Sequence, residues 1–181
     1  MMEKNFSIDG EKILLRPISD SDTASIIKWR NNENVRKHFV IRETMTEEMH
    51  RNWLETRVAK GEVFQFIIFS KEKNMDIGSV YLRDIRKEQG VAEFGIFIGE
   101  DDCRGHGYGS EACGLILNYS WDALKLKNIF IRVFRENNLA IASYSKNGFV
   151  TIPPEELGLY VDLYHIDTTM LYMKIDNPKG Q

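Results

Sequence analysis

A chain of 181 residues, 43% hydrophobic and 28% charged, has enough apolar material for one globular domain with a substantial core. Its formal net charge is −3 and it carries no long Lys/Arg run, which speaks against nucleic acid or an anionic membrane as the main partner. Apolar runs such as Phe66-Ile67-Ile68-Phe69 are far too short to span a bilayer, and "MMEKNFSIDGEK" lacks the apolar stretch of a signal peptide, so a cytoplasmic protein is expected.

In chain order, the first strand is predicted over Lys12–Arg16, closed by Pro17. Asp20 or Ser21 can cap a helix running to about Arg30, with Ala24, Ile26 and Ile27 on its apolar face. "NNENV" breaks it, and a second helix over about Thr46–Ala59 places Met49, Trp53 and Leu54 at helical spacing before Gly61. Three strands follow as a meander: "VFQFIIF" (63–69), "DIGSVYLRDI" (76–85) and "VAEFGIFIG" (91–99), the last after a turn at Gln89-Gly90. A glycine-rich stretch opens the next helix, whose apolar stripe is Ala112, Leu115, Ile116, Tyr119 and Ala123. "NIFIRVF" (128–134) reads as a strand, Asn137 or Asn138 caps a short helix to about Asn147, and Gly148 ends it. Residues 160–175 read as final strand material or a hairpin. The expected fold class is α+β, a mixed sheet with helices packed on it. No repeat, low-complexity segment or linker divides the chain, so a single domain over residues 1–181 is expected. Cys103 and Cys113 form no disulfide framework and are expected as reduced thiols. His38, His50, His106 and His165 lack metal-ligand spacing, so no metal is expected.

The stretch "CRGHGYGSEA" (103–112) is the most informative one. Alternating glycines cost backbone entropy unless the bare backbone is needed. They precede a helix, whose first N–H groups are unpaired and lie at the positive end of its dipole. Gly105, Gly107 and Gly109 let the backbone curl toward a phosphate, and Arg104 adds a cation at the rim. No Walker lysine-serine pair is present, and GxGxG late in a meander is not the dinucleotide fingerprint that follows a first strand. On the glycines alone, a turn without ligand stays as open as a phosphate site.

The flanking residues narrow the choice. Arg104-Gly105-His106-Gly107-Tyr108-Gly109 has the form [RQ]xxGx[GA], and "AEFGIFIGEDDCRGHGYGSEA" resembles the strand, loop and helix that bind pyrophosphate in the GNAT superfamily of acetyl-CoA-dependent N-acetyltransferases. Downstream, "NNLAIASYSKNGF" is similar to that family's NxxAxxxY…GF segment, with Ala140 and Tyr144 one helical turn apart. "WRNNENVRKHF" (29–39) resembles the WRN…V…F segment of the RimJ/RimL-like branch. Together the three blocks cover roughly residues 12–175.

This resemblance implies a central mixed, mostly antiparallel sheet flanked by helices, with acetyl-CoA as acetyl donor. It implies cofactor contacts from Arg104, Gly105, His106, Gly107, Tyr108, Gly109 and Ser110, main-chain bonds to the pantetheine arm from Ile96, Phe97 and Ile98, and a contact from Asn137. Tyr144 would lie near the cofactor sulfur and protonate the departing thiolate. A thiol of pKa about 8.5 facing a phenol of about 10 makes that transfer feasible without a strong drive. Strand alternation puts Val91, Glu93, Gly95 and Phe97 on one face. Glu93 is then either a general base, as an acid on this strand serves in related enzymes, or the partner of Arg83 or Arg132. Gly95 marks a bulge or a close approach of ligand. Arg30, Asn31, Asn32, Arg36 and His38 are expected on one wall of the acceptor pocket, with Tyr160, Tyr164, His165 and Asp167 on the other. Two departures from the family pattern stand out: Cys103 where an aromatic is common, and His106 where lysine or arginine is usual. The acceptor would be a small-molecule amine (amino sugar, polyamine or amino acid) or a protein N-terminus. The family often forms dimers, and a non-catalytic acyl-CoA-binding module is the alternative of another class.

Overall fold

The computed structural model describes residues 6–161 and 170–180. Eight strands form one sheet in the order β1-β2-β3-β4-β5-β6-β8-β7. They are β1 (Ile8–Asp9), β2 (Ile13–Pro17), β3 (Phe64–Ser70), β4 (Met75–Arg86), β5 (Val91–Ile98), β6 (Asn128–Phe134), β7 (Val150–Thr151) and β8 (Met170–Asp176). Every neighbouring pair is antiparallel except β5 and β6. The helices are α1 (Thr23–Asn31), α2 (Glu33–Arg36), α3 (Glu47–Trp53), α4 (Tyr108–Asp122), α5 (Asn138–Lys146) and α6 (Gly158–Val161). The mixed, mostly antiparallel sheet flanked by helices is therefore present.

Sheet alternation sorts the core into two sides. Ala92 and Phe94 of β5 join Ala112, Ile116, Tyr144 and Phe149 on the side of α4 and α5. Phe97 points the other way and packs with Ile26, Trp29, Val35 and Leu54 on the side of α1 to α3. Among the described residues, no helix is long and apolar enough to cross a membrane.

Several boundaries differ from expectation for identifiable reasons. The second helix is shorter in its α form: after Trp53 it widens into a π-helical turn, Leu54–Val58, closed by Ala59 N–H donating to the Leu54 carbonyl at 2.8 Å. On α4 the buried face is broader than the predicted stripe and takes in Cys113, Leu117, Ser120 and Trp121, while Ala123 is exposed. The helix packs against a sheet wide enough to cover both flanks of the stripe. Tyr160 lies in α6 and not in a strand, its hydroxyl donating to Asn128 Oδ1 at 3.0 Å. The strands β1 and β7, two residues each, are too short to leave a periodic signal.

Gly99 shows how tightly α1 sits on the end of β5. A Cβ there would lie 2.0 Å from Trp29 Cγ, and that indole is 2% exposed and donates to Glu100 Oε1 at 2.7 Å. The ring cannot step aside, so Gly99→Ala should lower stability by about 1–3 kcal/mol. A urea titration should show this as a lower midpoint with an unchanged slope.

Candidate active site

The strands β5 and β6 pair only at Val91↔Asn128, Ala92↔Ile129 and Glu93↔Phe130. Beyond Glu93 they diverge, and from Phe94 onward β5 has no strand partner on that side among the described residues. The gap opens into a cavity of about 570 Å³ that reaches both faces of the sheet. Ile96, Ile98, Arg104, Asn137, Ala140 and Tyr144 line it on the side of α4 and α5. Arg30, Met49, His50, Trp53, Tyr81 and Arg83 line it on the side of α1 to α3.

On the first side, the glycine stretch has the geometry that its residue types suggest. Gly105 and Gly107 have φ of +80° and +86°, and Gly107 caps α4 in the left-handed region. A side chain at either position is strained although nothing stands within 4 Å of a Cβ. The free N–H groups at the start of the 15-residue α4 are thereby left open to an anion. Lys12 and Lys146, which the sequence did not single out, flank Gly107 and Ser110 around a shallow depression beside this helix end. His106 is exposed and stacks on Tyr108, ring centroids 5.9 Å apart. The Tyr108 side chain is core: it is 1% exposed and its hydroxyl donates to Glu72 Oε2 at 2.9 Å, so only its backbone is available to a ligand. Ser110 Oγ accepts from Asn147 Nδ2 at 2.9 Å and ties α4 to α5. Arg104 donates from Nε to the Ile98 carbonyl at 3.2 Å and pairs with Asp101 at 2.7 Å. That carbonyl is therefore already satisfied. The Phe97 side chain packs edge-on against Trp29 and Phe39, and its carbonyl faces Gly78 of β4, so the expected main-chain contact from Phe97 gives way to the β4 ladder and Ile96 is left facing the gap.

Asn137 caps α5 by accepting from Ala140 N–H at 3.3 Å, and its Nδ2 meets His38 Nδ1 at 3.3 Å. The cap and the end of the "WRNNENVRKHF" segment, 99 residues apart in sequence, thus touch. Tyr144 lies edge-to-face against Phe94 at 6.0 Å, and its hydroxyl makes no hydrogen bond among the described residues. Burial, with smaller contributions from Cys113 and Tyr81, raises the phenol's pKa. The group stays protonated.

On the opposite side the two readings of Glu93 separate. Arg83 lies directly across the ladder from Glu93, and Arg132 stands two residues beyond Phe130 on β6. The carboxylate is 3% exposed and accepts four N–H bonds: from Arg83 Nε at 3.1 Å and Nη2 at 3.0 Å, and from Arg132 Nε and Nη2 at 2.9 Å each. Four bonds use the lone-pair sites of a carboxylate, so none remains to take a proton from an amine. The general-base expectation gives way to the ion-pair alternative, with both arginines and not one. Gly95 is also explained: a Cβ there would lie 2.3 Å from Tyr81 Cζ, so the close approach is by the Tyr81 ring and not by a ligand.

The expected acceptor residues divide. Arg30 and His38 line the cavity, as does Asn34. Asn31 does not: its amide donates to the Met45 carbonyl at 3.0 Å and accepts from Met45 N–H at 2.8 Å, pinning the 40–46 loop. Asn32 caps α2 and donates to Asp101 Oδ1 at 3.0 Å. Arg36 lies outside the cavity because Val35 takes the inward position on the short α2. Tyr160 is core, and Tyr164, His165 and Asp167 lie outside the described residues. Burial lowers the His38 pKa, aided by Lys37, Arg104 and Arg42.

Two cavity residues escaped sequence reasoning. Tyr81 sits on an alternating strand where nothing distinguishes it from packing. His50 is 2% exposed, and burial lowers its pKa, so the ring is neutral. Thr23 Oγ1 donates to the Asp20 carbonyl at 2.8 Å and so accepts from His50 Nδ1–H at 3.0 Å. That fixes the tautomer and leaves Nε2 a free acceptor, without a partner among the described residues.

Comparison with known proteins identifies the arrangement. Residues 12–150 match the acetyltransferase (GNAT) domain family. The chain is 27% identical over 145 residues to the spermidine N(1)-acetyltransferase of Vibrio cholerae, covering 78% of this chain and 80% of that protein. It is 27% identical over 165 residues to the alpha/beta-tubulin-N-acetyltransferase 9 of Drosophila melanogaster, covering 82% and 80%. Its fold is shared with the crystal structure of the Vibrio cholerae spermidine N-acetyltransferase in complex with CoA and spermine, at a TM-score of 0.77 and 23% identity over 92% of this chain and 96% of that one. A family match across most of the chain, on a sheet that splays beside a glycine-capped helix, leaves one assignment: this protein belongs to the GNAT family and is an acetyl-CoA-dependent N-acetyltransferase.

Proposed function

We propose that the protein acetylates the primary amine of a small molecule by direct attack on the thioester, as a single-domain enzyme of the RimJ/RimL-like branch. One observation carries this: the gap between β5 and β6 joins the α4 terminus and Tyr144 on one face to a walled pocket on the other. A peptide acceptor needs an open groove with pairing edges, whereas α1 to α3 and the 40–46 loop wall this pocket. The tubulin acetyltransferase relative supports a protein acceptor, and a protein N-terminus is the second reading.

Acetyl-CoA supplies an activated acyl group. In this reading the N–H groups after Gly107, with Arg104 and His106, hold its pyrophosphate, and the unpaired stretch of β5 receives the pantetheine arm. Tyr144 gives its proton at the sulfur. Asn137 positions α5, and through it Tyr144. His50 Nε2 offers the entering amine a hydrogen-bond acceptor that Glu93 lacks. An α-amine of pKa about 8 costs only about 1.4 kcal/mol to deprotonate at pH 7, against about 4.6 for a lysine-type amine, so an acceptor of low basicity needs little further help.

Thermal melting tests the donor site. Acetyl-CoA at a hundred times its Kd should stabilise the protein by about 2.7 kcal/mol, raising Tm by about 5–10 °C. A folded Gly107→Val, Gly109→Val double variant should lose that shift. No shift in the wild type would remove the reading. Saturating binding without thiol release on any amine would instead favour a non-catalytic acyl-CoA-binding module.

A further inference from the structure

Charge in the acceptor half of the cavity is lopsided. Setting aside Arg104, which pairs with Asp101, the described residues lining the cavity include three arginines, Arg30, Arg83 and Arg132, against two carboxylates, Glu43 and Glu93. Glu93 is shared by Arg83 and Arg132, and Glu43 is exposed. Arg30 has neither a hydrogen-bond acceptor nor a carboxylate among the described residues. Its guanidinium carbon lies over the Phe39 ring, 3.4 Å from the centroid, and its buried Nε is left without a bond among the described residues. A half-buried cation held in place by an aromatic face, next to a second arginine pair, is costly unless something neutralises it. The pyrophosphate of the donor does not, because α4 and its glycines stand on the other face of the sheet.

Resting on the acetyltransferase reading above, we infer that the acceptor is an amine that also carries an anionic group, carboxylate or phosphate, and that Arg30 receives that group. The planar guanidinium fork matches either anion in a bidentate bond. The same charges work against a polyamine, which would bring further cations to a pocket with no unshared buried carboxylate among its described residues. The acceptor specificity therefore differs from that named for the spermidine acetyltransferase relative.

Thiol release from saturating acetyl-CoA, measured over matched amines, tests this. The panel pairs amino acids with their amides, an amino-sugar phosphate with the free amino sugar, and adds spermidine. The acid or the phosphate should exceed its neutral partner by about ten- to a hundredfold in kcat/KM, and whichever pair shows the gap identifies the anion. Arg30→Gln should close that gap by raising KM for the anionic amine about tenfold or more beyond any change for its neutral partner, and Arg30→Lys should restore part of it. Spermidine as the best acceptor, or equal rates within every pair, would overturn the inference while leaving the acetyltransferase reading intact. If no amine releases thiol, calorimetry with the N-acetylated acids decides. Binding lost in Arg30→Gln would support the anion site, and no binding to the wild type would overturn it.

Discussion

A Tyr144→Phe variant should retain its fold and its acetyl-CoA-induced rise in Tm but lose about a hundredfold in kcat. The loss comes from the hydroxyl alone. It makes no hydrogen bond among the described residues, so its removal leaves no partner unsatisfied, while the ring keeps its contacts with Phe94 and Phe149. General acid catalysis contributes about 10²- to 10⁴-fold, and the lower end applies because a phenol of raised pKa is a weak acid toward a thiolate. The same raised pKa sets a sign: the proton is held beyond the usual pH 10 or so of a tyrosine, so kcat should show no alkaline fall due to Tyr144 below that pH. Steady-state rates of wild type and variant between pH 6 and about 9.5 would check both points. A variant with wild-type kcat would remove Tyr144 as proton donor.

Glu93→Gln should act on stability and not on the pH profile. The amide oxygen can still accept from a guanidinium, but the amide carries no charge and turns an NH2 donor toward N–H donors, so Arg83 and Arg132 lose their shared counter-ion. Breaking a buried ion pair costs about 3–5 kcal/mol, and the lower figure applies here because both guanidinium groups reach the cavity, with side-chain exposures of 30% and 18%. For a chain of this length about 3 kcal/mol corresponds to a fall in Tm of about 6–12 °C. Arg132→Met should cost less, since Glu93 keeps Arg83. The contrast between the two variants, measured by calorimetry, separates loss of the shared counter-ion from loss of packing. Were Glu93→Gln as stable as wild type and slow only at low pH, the base role would return and the clamp would fall.

These two residues mark how far the sequence reached. Tyr144 stood out because it sits in a local pattern, Asn137-x-x-Ala140-x-x-x-Tyr144, that resembles a segment of the family; helical spacing alone put it on one face with Ala140 and implied no role. Gly105 and Gly107 were legible from the chain itself: a residue type that favours positive φ, placed just before a helix, names its own conformation. Glu93 was only half legible. Alternation put it on the correct face, but the choice between base and ion pair rested on Arg132, 39 positions away, and on the register between β5 and β6. The acceptor wall was read least well. Arg30, Asn31 and Arg36 look equivalent along a polar segment, and only packing shows that Val35 turns inward, that Asn31 is spent on Met45, and that Arg30 is left facing the cavity. His50 was invisible because an isolated histidine on a helix carries no spacing signal, whereas its tautomer depends on Thr23 and Asp20, brought beside it by the packing of α1 on α3. Local backbone preferences and short-range periodicity are properties of neighbours in the chain, so the sequence by itself determined most of the elements, the glycine turn before α4 and the helix face that carries Tyr144. Charge balance, orphaned donors and cavity shape are sums over residues distant in the chain, so only the tertiary structure decided which carboxylate is occupied and which arginine awaits a partner.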